Sequence, residues 1–325
     1  MPKNFTTAKA HPNIAFIKYW GNADQNLRLP ANASISMNLS ELETVTKIAF
    51  LPDQSSHLLK INGILQDTEH TSRVATYLES VRNLYEFQGS LAIESHNNFP
   101  MGAGIASSAS AFAALAVALN DLLELNLPQS GISALARLGS GSACRSIPAG
   151  FTVWEKGRTH LDSFAATFAP PDHWELRDII LIVAAEEKAV GSTQGHALAD
   201  TSPYQSVRVH DAKRRLEICR RAILNKDFNK LAWIIEQDSD MMHAVMMTSR
   251  PPINYWQPAS IAIMQKVRDL RKNGIACAYT LDAGPNVHVI TLATDQTKVI
   301  NAFKGFPGLQ DMYISNIGGG AQVIP

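Results

Sequence analysis

Cysteine is scarce in this chain. Only Cys144, Cys219 and Cys277 occur among 325 residues, far apart and without a Cys-x-x-Cys pair. An odd, scattered set excludes a disulfide framework and a cysteine-ligated zinc site, and fits a reducing, cytoplasmic setting. Ten histidines contain no His-x-His or His-x-x-x-His pair, so a histidine-based metal site is not expected. Charge of one sign is missing too. Lys plus Arg and Asp plus Glu are both 29, for a formal net charge of zero. Bulk electrostatics therefore gives no reason to expect a nucleic-acid or membrane-surface partner. No apolar run approaches the ~18 residues of a membrane span. Met1-Pro2-Lys3-Asn4 leads into polar sequence without the apolar core of a secretory leader.

What is present suits an ordinary soluble globular protein, with 46% hydrophobic and 18% charged residues. The length favours about two domains. The first half alternates strand-like runs with turns. Residues 43–51 and 58–65 are β-rich, and Asn62-Gly63 marks a hairpin turn. Val74, Tyr77, Leu78, Val81 and Leu84 predict a helix over 71–85. A short strand over 90–95 then feeds a glycine-rich segment. Residues 106–125 are apolar nearly all round and predict a buried helix, and 132–138 a second one. Gly139 to Ser142 should be a loop. Past Pro170-Pro171 the pattern changes. Residues 179–183 form a buried strand, and 207–225, 230–242 and 260–273 are amphipathic helices, the last stopped by Gly274. Strands over 276–281 and 287–292 flank a tight turn. We place the domain boundary near residue 175, giving units 1–175 and 176–325.

Five segments could carry chemistry. The richest is Asn98-Phe99-Pro100-Met101-Gly102-Ala103-Gly104-Ile105-Ala106-Ser107-Ser108, just before the alanine-rich helix. Its glycines allow close backbone approach, and a helix N-terminus offers unpaired N–H groups to phosphate. It is no Walker loop, because no Gly-Lys-Ser/Thr closes it. A dinucleotide fold fails as well, since the helix continues where a second, acid-ending strand would be needed. Alone, the segment is equally a tight turn before a core helix.

The second is Asn13-Ile14-Ala15-Phe16-Ile17-Lys18-Tyr19-Trp20-Gly21, where Lys18 ends an apolar strand. By itself such a lysine lays its stem along apolar surface and keeps its charge in water. Beside an acid or an anionic substrate it would be functional. The third, Gly139-Ser140-Gly141-Ser142-Ala143-Cys144-Arg145-Ser146, combines small residues, hydroxyls and an arginine able to grip a carboxylate or phosphate. The fourth, Tyr279-Thr280-Leu281-Asp282-Ala283-Gly284-Pro285-Asn286, offers an acid that either caps a turn or, near a lysine, acts as a base. The fifth is the polar loop Glu187-Lys188-Ala189-Val190-Gly191-Ser192-Thr193-Gln194-Gly195. Other signals read as structural. Lys213-Arg214-Arg215 with Arg220-Arg221 is a solvated helix face, Met241-Met242 and Met246-Met247 are core or cleft packing, and Gly318-Gly319-Gly320 is a bend.

Together the five segments resemble one family, the mevalonate diphosphate decarboxylases of the GHMP kinase superfamily. The matching blocks also include Leu29-Pro30 to Ser36 and run in the family's order over nearly the whole chain. Lys-Tyr-Trp-Gly and Ser-Gly-Ser-Ala-Cys-Arg in one chain are the most specific. The resemblance implies a two-domain α+β fold with its site in the inter-domain cleft. It also implies ATP and Mg2+, a homodimer, and decarboxylation of a 5-phosphorylated mevalonate after phosphorylation of its 3-hydroxyl.

The resemblance also implies residue roles. Asp282 is the base, or the group that orients the hydroxyl; Lys18 keeps it ionised; Arg145 binds the departing carboxylate. Ser140, Ser142 and Thr193 donate to the substrate. Tyr19, Trp20, Gly21, Asn22, Gly141, Ala143 and Cys144 complete its surroundings. Arg73 lies near the substrate phosphates. Gly102, Ala103, Gly104, Ile105, Ala106, Ser107 and Ser108 hold those of ATP. No metal ligand is assigned.

One departure is informative. Diphosphate-using members typically follow Lys-Tyr-Trp-Gly with lysine, and here Asn22 stands in that place. Losing such a charge-assisted contact costs about 1.5–3 kcal/mol, which raises the monophosphate as a substrate. A superfamily kinase that stops after phosphorylation, and a non-catalytic ligand sensor, are the alternatives. Arg145 argues against the kinase, and Lys18, Arg145 and Asp282 together argue against the sensor.

Overall fold

A computed structural model describes residues 4–52, 56–99, 107–184 and 190–325. In the first half the order is β1 (Phe5–Ala10), β2 (Asn13–Ile17), β3 (Asn22–Asp24), β4 (Leu29–Pro30), β5 (Ser34–Asn38), β6 (Thr44–Leu51), β7 (Leu58–Ile61) and β8 (Ile64–Leu65). There follow α1 (Thr68–Tyr85), β9 (Ser90–Asn97), α2 (Ser107–Leu122), α3 (Gln129–Gly139), a 3-10 helix (Gly141–Ser146), β10 (Phe151–Trp154) and β11 (Ala165–Ala169). The second half runs β12 (Leu176–Ile182), α4 (Ser192–Leu198), α5 (Gln205–Leu224), α6 (Phe228–Met247), α7 (Pro258–Lys272) and β13 (Cys277–Thr280). It closes with β14 (Val287–Leu292), α8 (Gln296–Phe303), β15 (Asp311–Ser315) and β16 (Gln322–Ile324).

This is a mixed α+β architecture built on three main sheets. Their strand orders are β16-β1-β6-β9-β7-β8, β11-β10-β5-β2 and β13-β14-β12-β15. The predicted hairpin at Asn62-Gly63 is formed, with φ of 50° and 80° at its two turn residues. Such left-handed pairs match strand twist. The alanine-rich α2 is buried along most of its length, because small side chains let it lie close under β1 and β6. The segment expected as a loop after Gly139 is a 3-10 helix instead. Its small residues permit that tight winding, and the Ala143 N–H closes it on the Ser140 carbonyl at 2.9 Å.

Two features tie the halves together. The late strand β16 pairs antiparallel with β1, Thr7 opposite Ile324. One apolar core joins Ile14, Phe16, Ile35 and Met37 of β2 and β5 to Leu216, Ile223, Ile234 and Ile235 of α5 and α6. Among the described residues no helix is long and apolar enough to cross a membrane.

Candidate active site

Strand β2 is buried at every position, and that places Lys18 deep in the molecule, not at a surface rim. Its Nζ meets Asp282 Oδ1 at 2.6 Å. Asp282 follows β13, whose end is pinned where the Leu281 N–H donates to Ser239 Oγ of α6 at 3.0 Å. The Asp282 side chain is 25% exposed against 1% for Lys18, so the carboxylate forms the open face of the pair. Burial lowers the Lys18 pKa, opposed by Asp282. Burial pushes the Asp282 carboxyl upward, but Lys18, His288 and Arg145 outweigh it and hold its pKa below the ordinary value. An ionised, partly open carboxylate is a suitable proton acceptor.

The backbone around Lys18 is clamped from the second half. Its N–H donates to Asp238 Oδ2 at 2.6 Å, and its carbonyl accepts from Arg208 Nη2 at 2.8 Å and Asn32 Nδ2 at 3.0 Å. Gln205 Nε2 donates to the Trp20 carbonyl at 2.9 Å. Asp238 is itself paired with Arg215 at 2.7 Å, and both side chains are fully buried. This corrects the expectation of a solvated basic face. Arg215 turns inward because α6 supplies a buried acid, whereas Arg214 stays outside on Asp211.

Arg145 sits inside the 3-10 helix, 3% exposed. Its Nη1 donates to Ser34 Oγ at 2.8 Å and its Nε to Asn13 Oδ1 at 3.2 Å. Asn13 is oriented in turn by donating to Ser146 Oγ at 2.8 Å. The guanidinium is thus aimed while keeping other N–H groups for an anion. Gly141 allows the turn to touch the Tyr19 ring, where a Cβ would collide. Ser140 Oγ lies 3.3 Å from Ser108 Oγ and 3.4 Å from Ser142 Oγ, a row of three hydroxyls. Ala143 and Cys144 are buried behind them. Burial pushes the Cys144 thiol up to about 12, so it is no nucleophile.

Tyr19 and Trp20 form the adjoining wall. The Tyr19 hydroxyl donates to Asn22 Oδ1, and Asn22 Nδ2 donates to Gln25 Oε1 at 2.7 Å. Gly21 has φ of 89°, a backbone state that glycine adopts freely. Sequence reasoning missed His196, whose ring stacks on Tyr19 with centroids 4.1 Å apart and lies 4.6 Å from that of Trp20. Only its position three residues beyond Thr193 hinted at it. Thr193 lies exposed on the same helix, α4, three residues before His196.

Arg73 reaches from α1 to the Gly139 carbonyl at 3.1 Å and lies over Phe112, while its Nε is buried without a partner. It borders a cavity of about 200 Å³ that Ile61, Ser107, Ser108 and Phe112 also line. Gly102, Ala103, Gly104, Ile105 and Ala106 lie outside the described residues, as do Glu187, Lys188 and Ala189.

Comparison with known proteins decides the family. A diphosphomevalonate decarboxylase-like N-terminal domain matches residues 10–165, and a mevalonate 5-diphosphate decarboxylase C-terminal domain matches 178–319. The chain belongs to the mevalonate diphosphate decarboxylase family. The diphosphomevalonate decarboxylase of Candida albicans is 39% identical, over 93% of this chain and 89% of its own. The human one is 36% identical, over 94% and 82%. Among solved structures, a decarboxylase described as MDDEF in complex with MVAPP, AMPPCP and magnesium superposes with a TM-score of 0.93 at 37% identity, covering 98% of each chain. The Staphylococcus aureus decarboxylase gives 0.92 at 35%, covering 99% of this chain and 98% of its own. The fold is therefore the two-domain GHMP type of this decarboxylase family.

Proposed function

We propose that this chain catalyses the ATP-dependent decarboxylation of a 5-phosphorylated mevalonate, and that it accepts the monophosphate. The observation that carries the reaction class is the Lys18–Asp282 pair at 2.6 Å, with Arg145 acting on the same carboxylate. A tertiary alcohol is a poor nucleophile and hydroxide a poor leaving group. Asp282 accepts or orients the proton of the 3-hydroxyl, so that its oxygen attacks a γ-phosphate held in line. Cleavage of the C–O bond then expels phosphate. Arg145 holds the substrate carboxylate, whose C–C bond breaks to release carbon dioxide and form the double bond.

The chain's own residues fit a nucleotide and its ion. The cavity bordered by Phe112 and Ile61 offers apolar walls, and Ser107 and Ser108 offer hydroxyls at its end. The unpartnered Arg73 Nε supplies a donor beside them. Among the described residues no group of three His, Cys, Asp or Glu could hold a metal. Mg2+ needs no such cage, because it keeps several waters and is bound largely through substrate phosphates; the Ser108 and Ser140 hydroxyls would add oxygen donors to its shell. The nucleotide and its ion supply the transferable phosphoryl group and neutralise its charge.

Asn22 favours the monophosphate. Its carboxamide is neutral and already engaged by Tyr19 and Gln25, so this position itself brings no charge to a second phosphate. Steady-state kinetics on both esters, with labelled carbon dioxide trapped, tests the reading. We expect kcat/KM for mevalonate 5-phosphate at least comparable to that for the diphosphate. A hundred-fold preference for the diphosphate would sink the monophosphate assignment, and phosphorylation without carbon dioxide would sink the decarboxylase.

A further inference from the structure

His196 has features that ring stacking alone does not require. Its Nδ1 accepts the N–H of Gly21 at 3.0 Å. That bond fixes the neutral tautomer carrying its proton on Nε2. Tyr19 and Trp20 flank the ring, so it has little freedom to turn. Among the described residues nothing accepts the Nε2–H, and Nε2 is not sealed in the interior. The ring thus presents a fixed donor whose N–H is not sealed off.

The surroundings indicate what kind of acceptor fits. Burial and then Arg28, Arg208, Arg145 and Arg73 push the ring pKa down to about 3, so the imidazole is uncharged at neutral pH. Four guanidiniums acting on one site make a field for an anion. The charges acting most on Asp282 are different, namely Lys18, His288 and Arg145. Arg28 and Arg73 also act on each other and on Tyr19, and so stand beside the aromatic wall that holds His196. The substrate's phosphate is the anion at its far end from the reacting carbon. The Asn22 carboxamide on the same wall already gives one N–H to Gln25.

We propose that His196 is a specificity-determining residue: its Nε2–H donates to an oxygen of the substrate's 5-phosphate, and so supplies a neutral contact where Asn22 supplies no charge. This rests on the decarboxylase reading above. A single neutral donor of this kind adds direction to a phosphate contact without adding charge.

Two variants separate donor from scaffold. In His196→Asn the carboxamide oxygen can replace Nδ1 towards Gly21, but nothing reaches the Nε2 position. In His196→Gln the amide N–H can replace Nε2, while the Gly21 contact is lost. Hydrogen bonds to charged groups set the scale. We expect His196→Asn to raise the KM for mevalonate 5-phosphate about ten- to hundred-fold, with the KM for ATP within about three-fold. His196→Gln should recover most of that loss. The reverse ranking, or a parallel rise in the KM for ATP, would assign His196 a structural role and overturn the proposal.

A measurement on the unmodified enzyme does not depend on either variant folding. With 15N-labelled histidine, one ring Nε2 signal should move on adding mevalonate 5-phosphate and stay in place on adding mevalonate. No such movement overturns the proposal. Calorimetric binding of mevalonate 5-phosphate is read separately from carbon dioxide release. Binding with the histidine response but no carbon dioxide therefore refutes the decarboxylase reading alone. Binding and carbon dioxide without the response refute the His196 assignment alone.

Discussion

At the scale of single residues, the ionisation of Asp282 depends on its neighbour. Burial alone would raise its pKa, and Lys18 at 2.6 Å is the largest opposing influence. Because the folded pKa is lowered, the carboxylate persists well into acid, and the active form is lost only as pH falls through that lowered value. In Lys18→Met the burial contribution stands without its main opponent, so the pKa rises. The acid limb of kcat/KM against pH should therefore move to higher pH than in wild type, on top of a loss in rate. An unmoved limb would argue that Asp282 is not the group titrating. Asp282→Asn should abolish turnover while ATP affinity, read by calorimetry, stays within a few-fold. Near-normal turnover would refute the base assignment.

The residue scale also shows the limit of what a chain displays in one dimension. Lys18, Arg145 and Asp282 stand in local patterns, so sequence could nominate them. Arg215, Arg208 and His196 could not be nominated in this way, because their character comes from partners far away in the chain. Arg215 looks like its neighbour Arg214 in composition and spacing, yet one is buried on Asp238 and the other exposed. Only the docking of α6 against α5 separates them.

At the scale of elements, periodicity located the long helices and the central strands well, because packing repeats every turn or every second residue. It missed the 3-10 helix at Gly141–Ser146, whose small residues carry no apolar period. It also missed the short strand β10, which gains its partners only by tertiary pairing. The 3-10 helix and Tyr19 are fitted to one another. Gly141→Ala would push a methyl into the Tyr19 ring, an overpacking that costs about 1–3 kcal/mol. Tyr19 also carries His196 and Asn22, so the KM for the mevalonate ester should rise while that for ATP changes little. The clamp from α5 and α6 predicts a different signature. Asp238→Asn removes the buried acid that Arg215 and Arg208 share and leaves Arg215 only the more exposed Asp211, which should cost up to about 3–5 kcal/mol in urea unfolding.

At the scale of the molecule, the site exists only when both halves are assembled. Lys18 and Asp282 are 264 residues apart in sequence and meet because α6 packs against both β2 and β13. The same apolar core serves both sides of that junction. Ile14, Phe16, Ile35 and Met37 find their cover in α5 and α6, and β1 finds an edge partner in β16. A fragment 1–175 would expose that apolar face to water, along with an unpaired strand edge, a combination that favours association between copies. We therefore expect the fragment expressed alone to aggregate and the full chain to unfold in one cooperative transition. Calorimetric and van't Hoff enthalpies should then agree, and near-ultraviolet signals from Trp20, Trp154 and Trp174 in the first half should be lost together with those from Trp233 and Trp256 in the second. A soluble, folded 1–175 fragment, or two resolved transitions, would show that the halves are independent and that the Lys18–Asp282 pair joins two bodies rather than sitting on one shared core.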